Sequence, residues 1–433
     1  MKSKLLLAGI ATALTVSAAP VSAELLVPHL TYRTGPYAGN GIVFANGFLD
    51  YMTMLNERDG GIGGVKVNVE ECETGYNAQK GVECYESTKG RNPLITIPNS
   101  TGITLQLIQK ASVDKIPLLS AGYGLSAAAV GDKFPWIFNP PTTYWGQMSA
   151  ILNFIGKQEG GSLKDLKGKK IGFIYLDAGY GREPIPLLDS MAQTYGFEVV
   201  KIPVAGKEMQ NQSSHWLTVR KEKPDWMIMW GWGAMNATAI KAAIKIRYPM
   251  DKFIGNWWSS AHVDIKGAGA AAKGYRGATF SANGDTFPAL KDVRKYVIDA
   301  GKTQTTDKDT VGNVLYNRGV INAVLTAEAI TIAQKTTGKK DVTGSDVRDA
   351  MEKVDMSAAR LKEIGLEGFM EPIKITCADH AGSNPVIMTQ WDGKDWVRVE
   401  ATPVVIDVVK PMLAKAAEEY VADKPGWETQ TCK

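Results

Sequence analysis

The chain has 433 residues, of which 44% are hydrophobic and 22% are charged, and its formal net charge is +4. This length allows two or three domains with buried cores. Because the charges nearly balance and no basic cluster carries interleaved aromatic residues, nucleic acid is excluded as an expected partner. No stretch after the first 23 residues has the roughly 18 apolar residues that a membrane-spanning helix needs.

The N-terminus has the features of a secretory signal peptide. Lys2 and Lys4 precede an apolar run at residues 5–16, and Val21-Ser22-Ala23 fits a cleavage site of small residues. We therefore expect cleavage after Ala23 and a periplasmic location. No cysteine lies next to this site, so the sequence gives no sign of a lipid anchor.

Four cysteines follow, and an even number in an exported protein favours disulfides. Three pairings are possible. We favour Cys72–Cys84, because these residues lie close together at a strand end and on the following helix, and with it Cys377–Cys432. Four free thiols are the alternative. A metal site is not expected, because neither a CxxC motif nor a nearby pair of histidines occurs.

Apolar periodicity in the first third of the chain predicts alternating strands and helices. The strands are predicted at residues 25–30, 65–69, 94–97, 116–119 and 136–138, and the helices at 41–55, 77–89 and 103–115. Asn139-Pro140-Pro141 then interrupts the pattern and is interpreted as a crossover between two lobes.

After this crossover the alternation starts again. Strands are predicted at residues 169–175, 198–202, 225–230, 253–254 and 275–280, and helices at 144–159, 185–195, 212–221 and 237–246. The rest of the chain is predicted to hold helices at 289–300, 312–335 and 344–353, a strand–turn–strand hairpin over 385–400 and a short helix at 411–420. Two alternating blocks indicate an α/β protein with two doubly wound lobes, and the chain is expected to return to the first lobe near residues 281–286.

Residues 92–124 form a strand–helix–strand unit whose two strands must run parallel with a right-handed connection. Ligands of such sheets bind beyond the carboxyl ends of the strands. Ser100 and Thr101 lie at this point, at the start of a helix, where free N–H groups suit a carboxylate or phosphate. From this stretch alone we favour a simpler alternative, in which Ser100 or Thr101 only caps the helix and contributes roughly 1 kcal/mol.

Seven features in chain order resemble a known family. They are the signal peptide, LTYRTGPYA, PNSTGIT, PLLSAGYG, YLDAGYGREP, IMWGWGAMN and WDGKDW. Together they resemble the type I periplasmic binding proteins, and more narrowly the branched-chain amino-acid-binding (Leu/Ile/Val-binding) group of ABC transporter substrate-binding proteins. The resemblance implies a Venus-flytrap of two α/β lobes joined by three crossover strands, a hinge that closes on one ligand, and delivery to permease subunits in the inner membrane.

The resemblance also implies a domain division and a set of partners. Residues 24–139 plus 281–375 form the first lobe, and residues 140–280 plus 376–433 form the second. We expect a monomer that needs no cofactor. Enzyme activity is not expected, because the sequence contains no GxSxG, HExxH or P-loop pattern.

The ligand-contacting positions of the family can be transferred one by one. Ser100 and Thr101 match the loop that grips the ligand carboxylate, and Gly122 with Tyr123 matches a second carboxylate loop. Aromatic residues on the second lobe and two further tyrosines, one in the LTYRTGPYA opening and one on a helix expected to line the cleft, complete the set. The predicted ligand-contacting residues are Ser100, Thr101, Gly122, Tyr123, Tyr180, Trp232, Trp257, Tyr37 and Tyr316.

One position departs from the family pattern. The amino-acid binders carry a glutamate in a GPEG-like turn that pairs with the ligand ammonium, whereas this turn reads Gly255-Asn256-Trp257-Trp258. We therefore expect a small carboxylate with an aromatic or apolar body and no α-amino group. An alternative ligand is a branched-chain or aromatic amino acid whose ammonium is met by Asp177 or by backbone carbonyls.

Several alternatives remain open from the sequence. The protein could serve as a ligand-sensing subunit for a membrane receptor, or as an exported hydrolase. Trp232 and Trp257 could pack in the core, and Tyr180 could be a surface residue of its turn. Arg318 is expected at the surface or in an ion pair.

Overall fold

The computed structural model describes residues 24–382 and 384–432, and these form two α/β lobes. The predicted signal peptide at residues 1–23 lies outside the described residues. Within the described ranges, no helix is long and apolar enough to cross a membrane.

The first lobe contains a parallel sheet in the order β2-β1-β3 and a parallel pair, β4-β5. An isolated parallel bridge between Thr96 and Leu118 connects the two. The elements are β1 (Leu25–Thr31), α1 (Ala38–Asp59), β2 (Val67–Glu73), α2 (Ala78–Thr88), β3 (Ile97–Pro98), α3 (Thr101–Asp114), β4 (Leu118–Leu119) and β5 (Ile137–Phe138).

The second lobe contains a seven-stranded sheet. Its central elements are α4 (Tyr144–Glu159), β6 (Lys170–Leu176), α5 (Gly179–Arg182), α6 (Ile185–Tyr195), β7 (Glu198–Val204), α7 (Ser213–Glu222), β8 (Trp226–Trp230), α8 (Ala234–Lys245), β9 (Phe253–Gly255), α9 (His262–Ile265) and β10 (Arg276–Thr279). Strands β6 to β10 pair in parallel, as the alternation predicted.

The chain then returns to the first lobe, where α11 packs along α1. The remaining elements are α10 (Pro288–Val293), α11 (Val314–Thr337), α12 (Gly344–Met351), β11 (Asp355–Met356), α13 (Ala358–Glu363), β12 (Ile373–Lys374), β13 (Val386–Trp391), β14 (Trp396–Thr402) and α14 (Ile406–Ala422). The predicted hairpin is confirmed: β13 and β14 pair antiparallel and extend the second sheet to the order β14-β13-β10-β9-β8-β6-β7.

Several predicted boundaries are wrong, and two of them have a clear local cause. Strand β2 begins two residues later than predicted and runs through Glu73, because Val65 instead forms a bridge with Ile62 in a tight turn. Helix α14 begins five residues before Pro411, which the sequence suggested as its start. Pro411 is therefore inside the helix, where it removes one backbone hydrogen bond that packing of the helix must offset.

The structure contains both favoured disulfides, Cys72–Cys84 and Cys377–Cys432, with Cα–Cα distances of 5.8 and 5.5 Å. No cysteine among the described residues is free, so the alternative of four free thiols is wrong. Cys72 ends a strand of the first sheet and Cys84 lies on the helix that follows it. The first disulfide therefore ties α2 to the sheet that it covers.

The C-terminal segment contacts both lobes. Its hairpin belongs to the second sheet, whereas the Trp427 indole packs on Phe134 of the first lobe and donates to the Lys133 carbonyl at 2.6 Å. The predicted division of the chain, with residues 376–433 in the second lobe, stays a prediction.

Candidate functional site

A small cavity of about 10 Å³ lies where the two lobes meet. Its lining combines five tyrosines, two tryptophans and two small polar residues. The lining residues are Tyr32, Tyr76, Asn99, Thr101, Tyr123, Tyr144, Tyr180, Trp232 and Trp258. This volume holds about one water molecule, so the lobes must part or the lining rings must shift before a ligand can bind.

The first lobe contributes residues that follow its parallel strands. Tyr32 comes directly after β1, Tyr76 follows β2, and Asn99 and Thr101 lie between β3 and the first turn of α3. Tyr123 follows β4. Because the carboxyl ends of parallel strands meet at one edge of a sheet, these five side chains come together there.

The second lobe presents the same edge of its own sheet. Tyr180 lies on α5 after β6, Trp232 follows β8, and Trp258 follows β9. Tyr144 is the first residue of α4, just after the Pro140-Pro141 crossover. Each lobe thus supplies about half of the lining.

Hydrogen bonds join the two halves of the lining. Trp258 Nε1 donates to the Tyr144 hydroxyl at 3.1 Å, and that hydroxyl lies 3.3 Å from Thr101 Oγ1. The Tyr123 and Trp258 rings also stack across the lobes with centroids 5.5 Å apart. These contacts connect the lobes at the cavity.

The lining is rich in neutral hydrogen-bond donors. Burial raises the pKa of the Tyr123, Tyr144 and Tyr180 hydroxyls well above the usual tyrosine value, so all three stay protonated at neutral pH. None of the residues that line the cavity is acidic. The Tyr180 hydroxyl already donates to the Gly231 carbonyl at 3.0 Å, whereas the Trp232 indole N–H has no partner among the described residues and can donate to an anion. The lining offers no carboxylate to a cation.

Four of the nine predicted ligand-contacting residues line the cavity: Thr101, Tyr123, Tyr180 and Trp232. Three others lie directly behind it. Ser100 is the N-cap residue of α3 but makes no capping side-chain hydrogen bond, so the capping alternative for Ser100 is not what the structure shows. The Cβ position of Gly122 lies 2.4 Å from the Trp257 ring, which places both residues behind the cavity wall.

The last two predicted residues lie elsewhere. Tyr316 is buried between α11 and α1, where its hydroxyl donates to Asp50 Oδ2 at 2.9 Å, and it does not line the cavity. Tyr37 packs on Tyr76 at the rim, with its hydroxyl 3.7 Å from Met209 Sδ of the second lobe. It therefore contributes to contact between the lobes and does not line the cavity.

The turn that lacks the glutamate contains an amide, Asn256, that organises the second lobe. Asn256 Nδ2 donates to the Tyr180 hydroxyl at 2.9 Å, and Asn256 Oδ1 accepts from the Trp258 backbone N–H at 3.2 Å. Asp177, the alternative partner for a ligand ammonium, instead forms a 2.7 Å ion pair with Arg182. Neither residue lines the cavity.

Five lining residues were not predicted: Tyr32, Tyr76, Asn99, Tyr144 and Trp258. The rule that selected Ser100 and Thr101 would also have found Tyr32 and Tyr76, since both follow the carboxyl ends of predicted strands. Trp258 is the neighbour of Trp257, and the sequence does not show which of the two rings faces the ligand. Arg318, expected at the surface or in an ion pair, is instead fully buried.

A family model described as periplasmic binding protein matches residues 24–395 of the chain. The chain belongs to this family. Type I proteins of this family have the two-lobed fold described above, serve ABC transporters, and hold a small molecule for permease partners. The members are proteins of the periplasm or the extracellular space. Comparison with curated proteins gave no match.

Solved structures show the same fold for this periplasmic binding protein. One from the Pseudomonas fluorescens group, described as an ABC transporter permease, has 37% identity and a TM-score of 0.87 over 95% of this chain and 99% of its own. A branched-chain amino acid ABC transporter protein from Thermus thermophilus with bound valine has 20% identity and a TM-score of 0.76, covering 90% and 98%. A solute-binding protein from R. palustris in complex with benzoate has 17% identity and a TM-score of 0.69, covering 88% and 98%.

Proposed function

We propose that this periplasmic binding protein carries a small carboxylate with an aromatic or apolar body and no α-amino group, and delivers it to an ABC permease in the inner membrane. The observation that carries the proposal is the lining of the cavity, which is aromatic, rich in donors and free of acidic residues. An ammonium brought into it would lose its hydration without gaining a counter-ion, which costs several kcal/mol.

The aromatic lining supports the apolar body of the proposed ligand. Ring contacts of the offset or edge type contribute roughly 0.5–1.5 kcal/mol each beyond the area that they bury. Trp232 and Trp258 meet edge to face at 5.2 Å, and Tyr144 meets Tyr180 in the same way at 5.5 Å. When the lobes part, these ring faces can contact a flat or branched apolar group.

One contact favours the amino-acid alternative. Asn99 lines the cavity, and its Oδ1 has no hydrogen-bond partner among the described residues, while its Nδ2 lies 2.8 Å from His29 Nε2. Burial lowers the pKa of His29 to about 3, so the ring is neutral and accepts from the amide. Asn99 Oδ1 is therefore an acceptor for a ligand hydroxyl or, more weakly than a carboxylate, for an ammonium.

Thermal-shift measurements against small acids test the proposed function. A ligand that binds only the folded state raises stability by RT ln(1 + [L]/Kd), roughly 2.7 kcal/mol at a hundredfold excess over Kd. We expect benzoate, phenylacetate or 4-methylpentanoate to raise the Tm. A rise with leucine, valine or phenylalanine and with none of the acids would contradict the proposal.

We further propose that the protein works as a monomer in the periplasm, without enzyme activity, after cleavage following Ala23. The motivation is the signal-like start at residues 1–23 together with the two disulfides, which persist in an oxidising compartment. Intact-mass measurement of exported protein should give a chain that begins at Glu24 and lacks four thiol hydrogens. A mass that retains residues 1–23, or all four hydrogens, would contradict this expectation.

A further inference from the structure

Arg318 is a buried cation without a counter-ion. Its side chain on α11 is fully buried, and it forms no ion pair with any described residue. Nη2 donates to the Ala121 carbonyl at 2.9 Å, whereas Nε and Nη1 have no hydrogen-bond partner in the described part of the chain. A buried charge is normally paired or fully hydrogen-bonded, so this arrangement calls for a reason.

The guanidinium lies against a group of aromatic rings. Its Cζ is 3.7 Å from the centroid of Trp257 and 5.7 Å from the centroids of Trp258 and Phe280. Cation–π contacts of this kind favour a guanidinium over other side chains, but they leave its net charge unbalanced. Burial lowers the pKa of Arg318 to about 9, and the group is still protonated at neutral pH.

The positive charge lies close behind the wall of the cavity. Trp258 presents its ring both to the cavity and to Arg318, and Tyr123 follows the Ala121-Gly122 segment whose carbonyl Arg318 holds. The guanidinium also lies near the side chains of Tyr123 and Tyr144, both of which line the cavity. Since the lining contains no acidic residue, the protein itself supplies no negative charge at this point.

We propose that Arg318 sets the preference of the cleft for a negatively charged ligand, by its electric field across the aromatic wall and not by direct contact. This inference rests on the proposed function, because it takes the ligand to be a carboxylate. The ligand carboxylate then serves as the counter-ion of the Arg318 guanidinium, which is kept out of water when the lobes close. Arg318 is in this sense a specificity-determining residue that acts through Trp258 and Tyr123.

The test compares an acid with its neutral amide in two variants. Arg318→Met keeps most of the apolar stem of the side chain and removes its charge, whereas Arg318→Lys keeps a cation at pH 6, where the buried amine is more fully protonated than at pH 8. For a guanidinium and a ligand carboxylate about 12 Å apart, at an effective dielectric constant of about 20, the attraction changes the affinity for the ligand roughly tenfold. In calorimetry we expect Arg318→Met to weaken the binding of phenylacetate about tenfold and to change the affinity for phenylacetamide by no more than about twofold. We expect Arg318→Lys to retain most of the preference for the acid.

The possible results separate this inference from the proposed function. Failure of the wild type to bind phenylacetate, benzoate or 4-methylpentanoate contradicts the proposed function, and binding of only the amide contradicts both. If the wild type binds the acid but Arg318→Met weakens the binding of acid and amide equally, the inference about Arg318 is overturned and the proposed function stands.

The free protein gives a second measurement that needs no ligand. Because Arg318→Met removes an unpaired buried charge, its urea midpoint should equal or exceed that of the wild type. A large fall in this midpoint would mean that Arg318 holds the fold together, and would overturn its assignment to ligand selection.

Discussion

Gly47→Ala is expected to destabilise the protein by about 3 kcal/mol or more. Gly47 lies in the middle of α1, where a Cβ atom would come within 1.9 Å of the Tyr316 carbonyl oxygen on α11. From the other side, a Cβ on Gly319 would lie 2.1 Å from the Phe44 carbonyl oxygen. The two helices therefore touch backbone to backbone, and a methyl group can be accepted only if they move apart.

Gly39→Ala is the matched control for this prediction. Gly39 lies on the same helix, and a Cβ added there meets no atom within 4 Å among the described residues. Alanine should leave stability unchanged or raise it by up to about 1 kcal/mol, through helix propensity. Urea denaturation of both variants measures the difference, and equal midpoints would contradict the close crossing of α1 and α11.

The carboxyl group of Glu183 joins the two lobes. Glu183 follows α5 of the second lobe, and its Oε1 accepts from the backbone N–H of Ser126 in the first lobe at 2.7 Å. Its Oε2 is buried and has no hydrogen-bond partner among the residues described here. Burial is the main cause that raises the pKa of Glu183 from 4.5 to about 7.

A raised pKa means that the folded protein with its lobes in contact binds this proton more tightly than the unfolded chain does. The stabilising effect is complete below pH 4.5 and is lost as the pH rises through about 7. One pKa unit corresponds to about 1.4 kcal/mol, so the free energy of unfolding should fall by about 3 kcal/mol across this interval.

Glu183→Gln tests this pH dependence. Glutamine keeps an oxygen for the Ser126 N–H and cannot ionise. Between pH 4.5 and 8 the stability difference between wild type and variant should therefore change by about 3 kcal/mol. Buried Asp264, whose pKa is also raised to about 7, is present in both proteins and cancels from this comparison. Parallel stability curves would show that the Glu183 carboxyl is hydrated in the free protein.

The sequence predicted the fold because its signals are local and repeated. Apolar runs such as residues 170–176 and 226–230 are long enough to identify as buried strands, and their alternation with helices determines the parallel arrangement. Boundaries were less reliable where a two-residue strand such as Ile97–Pro98 carries little periodicity. The start of α14 was misjudged because a proline usually begins or ends a helix.

The candidate site was predicted only in part, because its lining depends on side-chain directions across two lobes. Residues of the predicted loops line the cavity, but of the neighbours Trp257 and Trp258 only Trp258 lines it, while Trp257 lies against Arg318 behind it. Tyr144 was missed because it belongs to a helix that begins after the crossover, away from the strand ends that were searched. Arg318 was assigned to the surface by its residue type, since arginine is seldom fully buried.

Calorimetry with matched pairs of ligands shows whether the cleft takes a carboxylate without an α-amino group. The pairs are phenylacetate with phenylalanine, and 4-methylpentanoate with leucine, each titrated into ligand-free wild-type protein. An unpaired buried ammonium costs several kcal/mol. We therefore expect the acid of at least one pair to bind at least roughly a hundredfold more tightly than its amino acid. Tighter binding of both amino acids than of their deaminated partners would contradict it.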